Sequence, residues 1–142
     1  MQVAASPRRF CVLVTFVSIG LFGAALGGAN IDQKAAVEHV LAIGESIALP
    51  DALTLTFEAV VEDSRCPTGT DCVWEGDAAV RVRLDERGKA PATYVLHTSG
   101  RFQQAFEHAG VQVRLVKVAP HPAANAPIRP QDYRITVTSS RK

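Results

Sequence analysis

The chain has 142 residues, 15 Lys+Arg against 14 Asp+Glu, and 47% hydrophobic residues. That length gives room for one hydrophobic core once an export signal is removed, and none for a second domain. The even charge balance supplies no basic face on which a phosphate backbone is held, so nucleic acid is excluded as a partner.

The first element is an export signal. Arg8 and Arg9 precede Phe10 to Leu26, an uncharged apolar run of about 17 residues that ends in the small residues Gly27, Gly28 and Ala29. Positive charge, apolar run and small residues, in that order, make a secretory signal peptide with cleavage after Ala29. The other reading is an uncleaved membrane anchor, but the run lies at the short edge of what spans a bilayer. The expectation is a signal peptide over 1–29 and a single β domain over 30–142, secreted or periplasmic, with no stable membrane insertion after cleavage. Without Arg8 and Arg9 the domain carries 13 basic against 14 acidic groups. Cys11 stands at the start of the apolar run rather than at the cleavage point, so it is no lipid attachment site and leaves with the signal.

Two-residue alternation dominates the remainder of the chain. Ala35 to Ile43 fits either a short helix or a first strand, with strand favoured over 39–43; Gly44-Glu45 then turns into Ser46 to Leu49. Leu53, Leu55, Phe57, Ala59 and Val61 share one face of a long strand, and Thr54, Thr56, Glu58, Val60 and Glu62 share the other. Ala78, Val80, Val82 and Leu84 form the inner face of the next strand, with Arg81 and Arg83 toward water. Asp85 to Lys89 is a charged hairpin turn, and Tyr94 to His97 a short strand. Phe102 and Phe106, four residues apart, suggest one or two helical turns within Arg101 to Ala109; an irregular crossover is the alternative. Val111 to Val118 and Tyr133 to Val137 are the last two strands, separated by a loop with prolines at 120, 122, 127 and 130. Ser139 to Lys142 reads as a frayed tail. About seven short strands in this length predict an all-β domain, either an antiparallel β-sandwich of immunoglobulin-like size or a small barrel.

Cys66 and Cys72 are the only cysteines beyond the signal. Exported thiols six residues apart meet an oxidising compartment, and Pro67 and Gly69 allow a tight turn between them, so a disulfide is expected. A redox pair usually has two residues between its cysteines rather than five. A structural zinc site needs two more ligands at a suitable spacing, so no metal and no other cofactor is expected. Trp74 is placed to lie over the disulfide or over Arg65, Asp63 or Ser64 to cap the turn, and Gly76 to mark a bulge or bend.

The pattern D-S-R-C-P-x4-C-x-W-x-G, from Asp63 to Gly76, resembles one found in small secreted proteins and lipoproteins of bacteria whose function is uncharacterised. Val111 to Pro122 and Asp132-Tyr133 resemble their C-terminal half. The resemblance implies a bacterial, exported β protein and supplies neither substrate nor catalytic residue. Unlike the lipoprotein members, this chain has no Cys at the end of its signal.

On these residues the domain is read as a non-catalytic binding or structural module of the cell envelope. Arg65 and Trp74 are its candidate binding surface, since loops on rigid scaffolds carry most recognition. The favoured alternative for these two residues is a purely structural role, closing one end of a small core together with the disulfide. A second functional reading is a protease inhibitor presenting the pinned loop 65–72, already ordered for a protease cleft. An enzyme is not expected: His39, His97, His108 and His121 are scattered, without H-E-x-x-H or G-x-S-x-G. Asp63, Asp71, Glu75 and Asp77 lack the spacing of a known calcium loop.

Overall fold

The computed structural model describes residues 35–142; the expected signal over 1–29 lies outside the described residues. Among the described residues the fold is all-β, with eight strands: β1 (Val37–Ala42), β2 (Ser46–Leu49), β3 (Leu53–Asp63), β4 (Ala78–Glu86), β5 (Ala92–His97), β6 (Ala105–His108), β7 (Val111–Ala119) and β8 (Arg134–Arg141). Single 3-10 turns occupy Pro50–Ala52 and Pro130–Asp132. Two four-stranded antiparallel sheets, in the orders β1-β8-β7-β6 and β2-β3-β4-β5, pack as a sandwich. Strands therefore follow sequence order round the molecule, with seams at β1/β2 and β5/β6 where the chain passes between sheets. The resemblance to an immunoglobulin domain is one of size: this winding is a meander rather than a Greek key.

The core lies between the sheets. Leu53, Leu55 and Phe57 from β3 and Ala78, Val80, Val82 and Leu84 from β4 meet Val111, Val113, Leu115, Ile135 and Val137 from β7 and β8. Each set recurs every second residue, because successive side chains on a strand point to opposite faces. Arg81 and Arg83 face out, as their alternation requires.

Three sequence expectations fail for identifiable reasons. In β3 the alternation breaks after Phe57, where the pairing with β4 slips between Phe57 and Ala59 and again between Val60 and Glu62. Each slip advances the strand by one residue, so Val60 packs against the core while Val61 is 42% exposed, the reverse of the expected faces. Residues 101–109 are not helical: Ala105–His108 form β6, Phe106 stacks flat on Tyr94 at 3.8 Å across the β5/β6 seam, and Phe102 lies against His97 instead. The four-residue spacing of the phenylalanines thus reflects two separate partners, not one helical face. The tail is not frayed as expected: β8 runs to Arg141, Val37 faces Ser139 in the ladder, and the buried Ser139 hydroxyl meets His39 Nε2 at 3.0 Å.

Candidate functional site

The β1–β2, β3–β4, β5–β6 and β7–β8 connections all leave the sandwich at one end. The longest are Ser64–Asp77 and Pro120–Tyr133, and they are fastened to each other by Arg65. Its side chain reaches back two residues to Asp63, with Nε on Oδ1 at 2.8 Å and Nη2 on Oδ2 at 2.6 Å. It also donates to the β7–β8 side, with Nη1 on the Val118 carbonyl at 2.6 Å and Nη2 on the Pro120 carbonyl at 2.9 Å. The fork of a guanidinium is suited to this, since it grips a carboxylate in two bonds and has donors left over. Tyr133, just before β8, donates its hydroxyl to Asp63 Oδ2 at 2.9 Å. Burial pushes the Asp63 carboxyl up, but the hydrogen bonds from Arg65 and Tyr133 and the Arg65 charge outweigh it and hold the group below the usual carboxylate range. The same arrangement raises the Tyr133 phenol, through burial and the neighbouring carboxylate.

The disulfide closes just beyond this hub. Cys66 and Cys72 are joined, with Cα atoms 6.0 Å apart. The ring is tied to the neighbouring loop by the Thr68 amide on the Pro122 carbonyl at 2.9 Å and by His121 Nε2–H on the Cys66 carbonyl at 2.9 Å. The two flanks of the β3–β4 loop also pair, with the Ser64 amide on the Asp77 carbonyl and the Cys66 amide on the Glu75 carbonyl. Gly76 makes that approach possible. Its φ is +77°, and a Cβ there would sit 2.0 Å from the Ser64 carbonyl oxygen and 2.6 Å from Arg65 Cα.

A second tie joins this loop to the β5–β6 connection. Asp77 accepts from His97 Nδ1–H at 2.6 Å, from the Thr98 hydroxyl at 3.1 Å and from the Ser99 amide at 2.8 Å. Burial raises the Asp77 carboxyl, and these three donors together draw it below the ordinary value. An Asp–His pair is half of an acid–base relay. Here the carboxylate's remaining lone pairs are engaged by the chain at Thr98 and Ser99, which makes it a tie between segments.

The structure separates the residues singled out by sequence. Arg65 is 9% exposed and its donors point inward, whereas Trp74 is 41% exposed. The charged group over the Trp74 ring is the Arg101 guanidinium, 5.8 Å from the centroid, where the sequence offered the disulfide or Arg65 as its neighbour. Val73 is fully exposed and Phe102 is 50% exposed. Ser64 does cap its turn, with Oγ on the Asp77 carbonyl at 3.2 Å, and Asp63 Oδ1 accepts the Arg65 amide at 3.3 Å. Between the loops a cleft of about 200 Å³ is lined by Arg65, Glu75, Gly76, Thr98, Ser99 and His121. Among the described residues no group of three or more His, Cys, Asp or Glu side chains is placed to hold a metal, and no helix is long and apolar enough to cross a membrane.

Sequence reasoning missed Tyr133, the Asp77–His97 pair, Arg101 and Phe102. Tyr133 and Asp63 lie 70 residues apart, and no spacing rule joins them. The signal in the sequence was Phe102 beside Arg101, hidden by the helical reading of that segment. Comparison with family models, with curated proteins and with solved structures gives no match.

Proposed function

We propose that this chain is a non-catalytic recognition module, exported to the bacterial cell envelope, that binds a partner through the loop end of its sandwich. Export and bacterial origin rest on the signal-like residues 1–29 and on the Asp63 to Gly76 pattern, and the Cys66–Cys72 disulfide accords with an oxidising compartment. The observation that carries the reading is a division of labour at the loop end. Polar side chains there (Asp63, Arg65, Asp77, His97 and Tyr133) bind one another and the backbone, while Val73, Trp74 and Phe102 face solvent. Loops held in one conformation and displaying aromatic groups have little ordering entropy left to lose on binding. Within this reading Trp74 is the contact residue and Arg65 positions the loop.

Against the protease-inhibitor reading, Arg65 would have to leave four hydrogen bonds to enter a specificity pocket. The test is photocrosslinking in the intact envelope. A photoreactive side chain at Val73 should give a discrete product that Trp74→Ser abolishes, while the same group at Arg87, in the β4–β5 turn at the opposite end, gives none. The same products from both positions would refute the assignment.

A further inference from the structure

The second half of β3 has an open edge. On one side β3 pairs with β4 along almost its whole length. On the other side β2 pairs only with Leu53–Thr56, and the Gly44 and Glu45 backbone closes on Phe57. From there the chain turns away into β1, which belongs to the other sheet. Among the described residues no strand covers Glu58–Asp63 on that side. Beside this edge lies a hollow of about 310 Å³, lined by Ile43, Val60, Pro130 and Tyr133 and by the acidic residues Glu58, Glu62 and Asp63, the last already held by Arg65 and Tyr133. Among the described residues neither glutamate has an ion-pair partner.

We propose that this edge and hollow form a second binding site, which takes an extended, lysine- or arginine-bearing peptide segment of a partner protein as an added strand. Three properties select that occupant. An uncovered strand edge offers backbone donors and acceptors to an extended chain. The hollow beside it has the size and apolar walls to take one aliphatic or aromatic side chain, which gives such an addition its anchor. The two glutamates select a basic strand and disfavour a second copy of this chain, whose β3 edge would bring the same carboxylates against them. The two bulges keep the regular edge short, so the added segment is short as well. This site is distinct from the Trp74 surface, and either can fail without the other.

The test uses the processed, oxidised protein, labelled with nitrogen-15, and two end-blocked heptapeptides. One alternates lysine with leucine, and the other has glutamate in place of lysine. The lysine peptide should shift amide resonances at 58–63, Ile43 and Tyr133 and leave those at Val73, Trp74 and Phe102 in place; the glutamate peptide should shift none. The double variant Glu58→Gln/Glu62→Gln, whose side chains are outside the core, should weaken lysine-peptide binding about tenfold, the effect of losing two partly exposed ion pairs. Equal binding of both peptides, shifts centred elsewhere, no binding of the lysine peptide, or unchanged affinity in the double variant would each overturn the proposal. So would a concentration-dependent dimer whose interface maps to 58–63, which would give the edge to a second copy.

Discussion

Replacing Arg65 by methionine removes the guanidinium that joins Asp63 to the Val118 and Pro120 carbonyls. Methionine matches much of the aliphatic volume and supplies no donor. Asp63 would keep only the Tyr133 hydroxyl and the Arg65-position amide, and the carbonyls of Val118 and Pro120 would lose the guanidinium. Breaking a buried pair by removing one partner costs about 3–5 kcal/mol, because the remaining charge stays desolvated. At roughly 4 °C per kcal/mol for a domain near this size, the melting temperature falls by about 12–20 °C. Arg65→Lys keeps the charge but not the planar fork, so it loses about 2 kcal/mol, comparable to one charge-assisted hydrogen bond. Asp63→Leu combined with Arg65→Met should recover part of the loss, since an apolar pair leaves no unpaired charge behind. Urea denaturation followed by circular dichroism and Trp74 fluorescence measures all three. A loss below about 1 kcal/mol for Arg65→Met, within the range of exposed ion pairs, would refute the hub.

Glycine substitutions separate backbone strain from steric clash. Gly88→Ala meets only the positive φ of +78°, with open space around it, and should cost about 1 kcal/mol, whereas Gly76→Ala adds a collision with the Ser64 carbonyl and should cost several times more in the same denaturation assay. Replacing both Cys66 and Cys72 by alanine opens a small ring and should lower stability by about 2 kcal/mol on the chain-entropy account; no change in the denaturation midpoint would contradict it. Asp63 and Asp77 both titrate below their ordinary value in the folded state, so the unfolded chain binds more protons near that value. Their stabilisation is complete above about pH 5 and is lost as pH falls from about 4 through the folded-state values. Asp63→Asn and Asp77→Asn should each flatten this acid limb in pH-dependent unfolding, and an unchanged limb would refute the assignment.

Much of the fold was legible in the sequence, because a half-buried strand must alternate and most of this chain does. Leu53, Leu55 and Phe57 and the Ala78 to Leu84 series lie where their period places them. The bulges in β3 were not legible. A bulge adds one residue without a compositional mark, and both phases of Glu58-Ala59-Val60-Val61-Glu62 read as plausible strand. β6 was hidden by two phenylalanines whose spacing imitates a helix. At the loop end the sequence marked the right segment, through the disulfide, Arg65 and Trp74, but it did not separate their roles. Whether an arginine faces inward depends on what meets it. Here Tyr133 and the Val118 and Pro120 carbonyls arrive from more than 50 positions away.

Native-state hydrogen exchange of the oxidised protein tests most directly whether the loop end is a fixed surface. The amides of Ser64, Cys66 and Thr68 donate to Asp77, Glu75 and Pro122, so they should exchange as slowly as amides of the β3–β4 ladder and lose that protection when the disulfide is reduced. Exchange at these three amides as fast as in a free peptide, before any reduction, would contradict it.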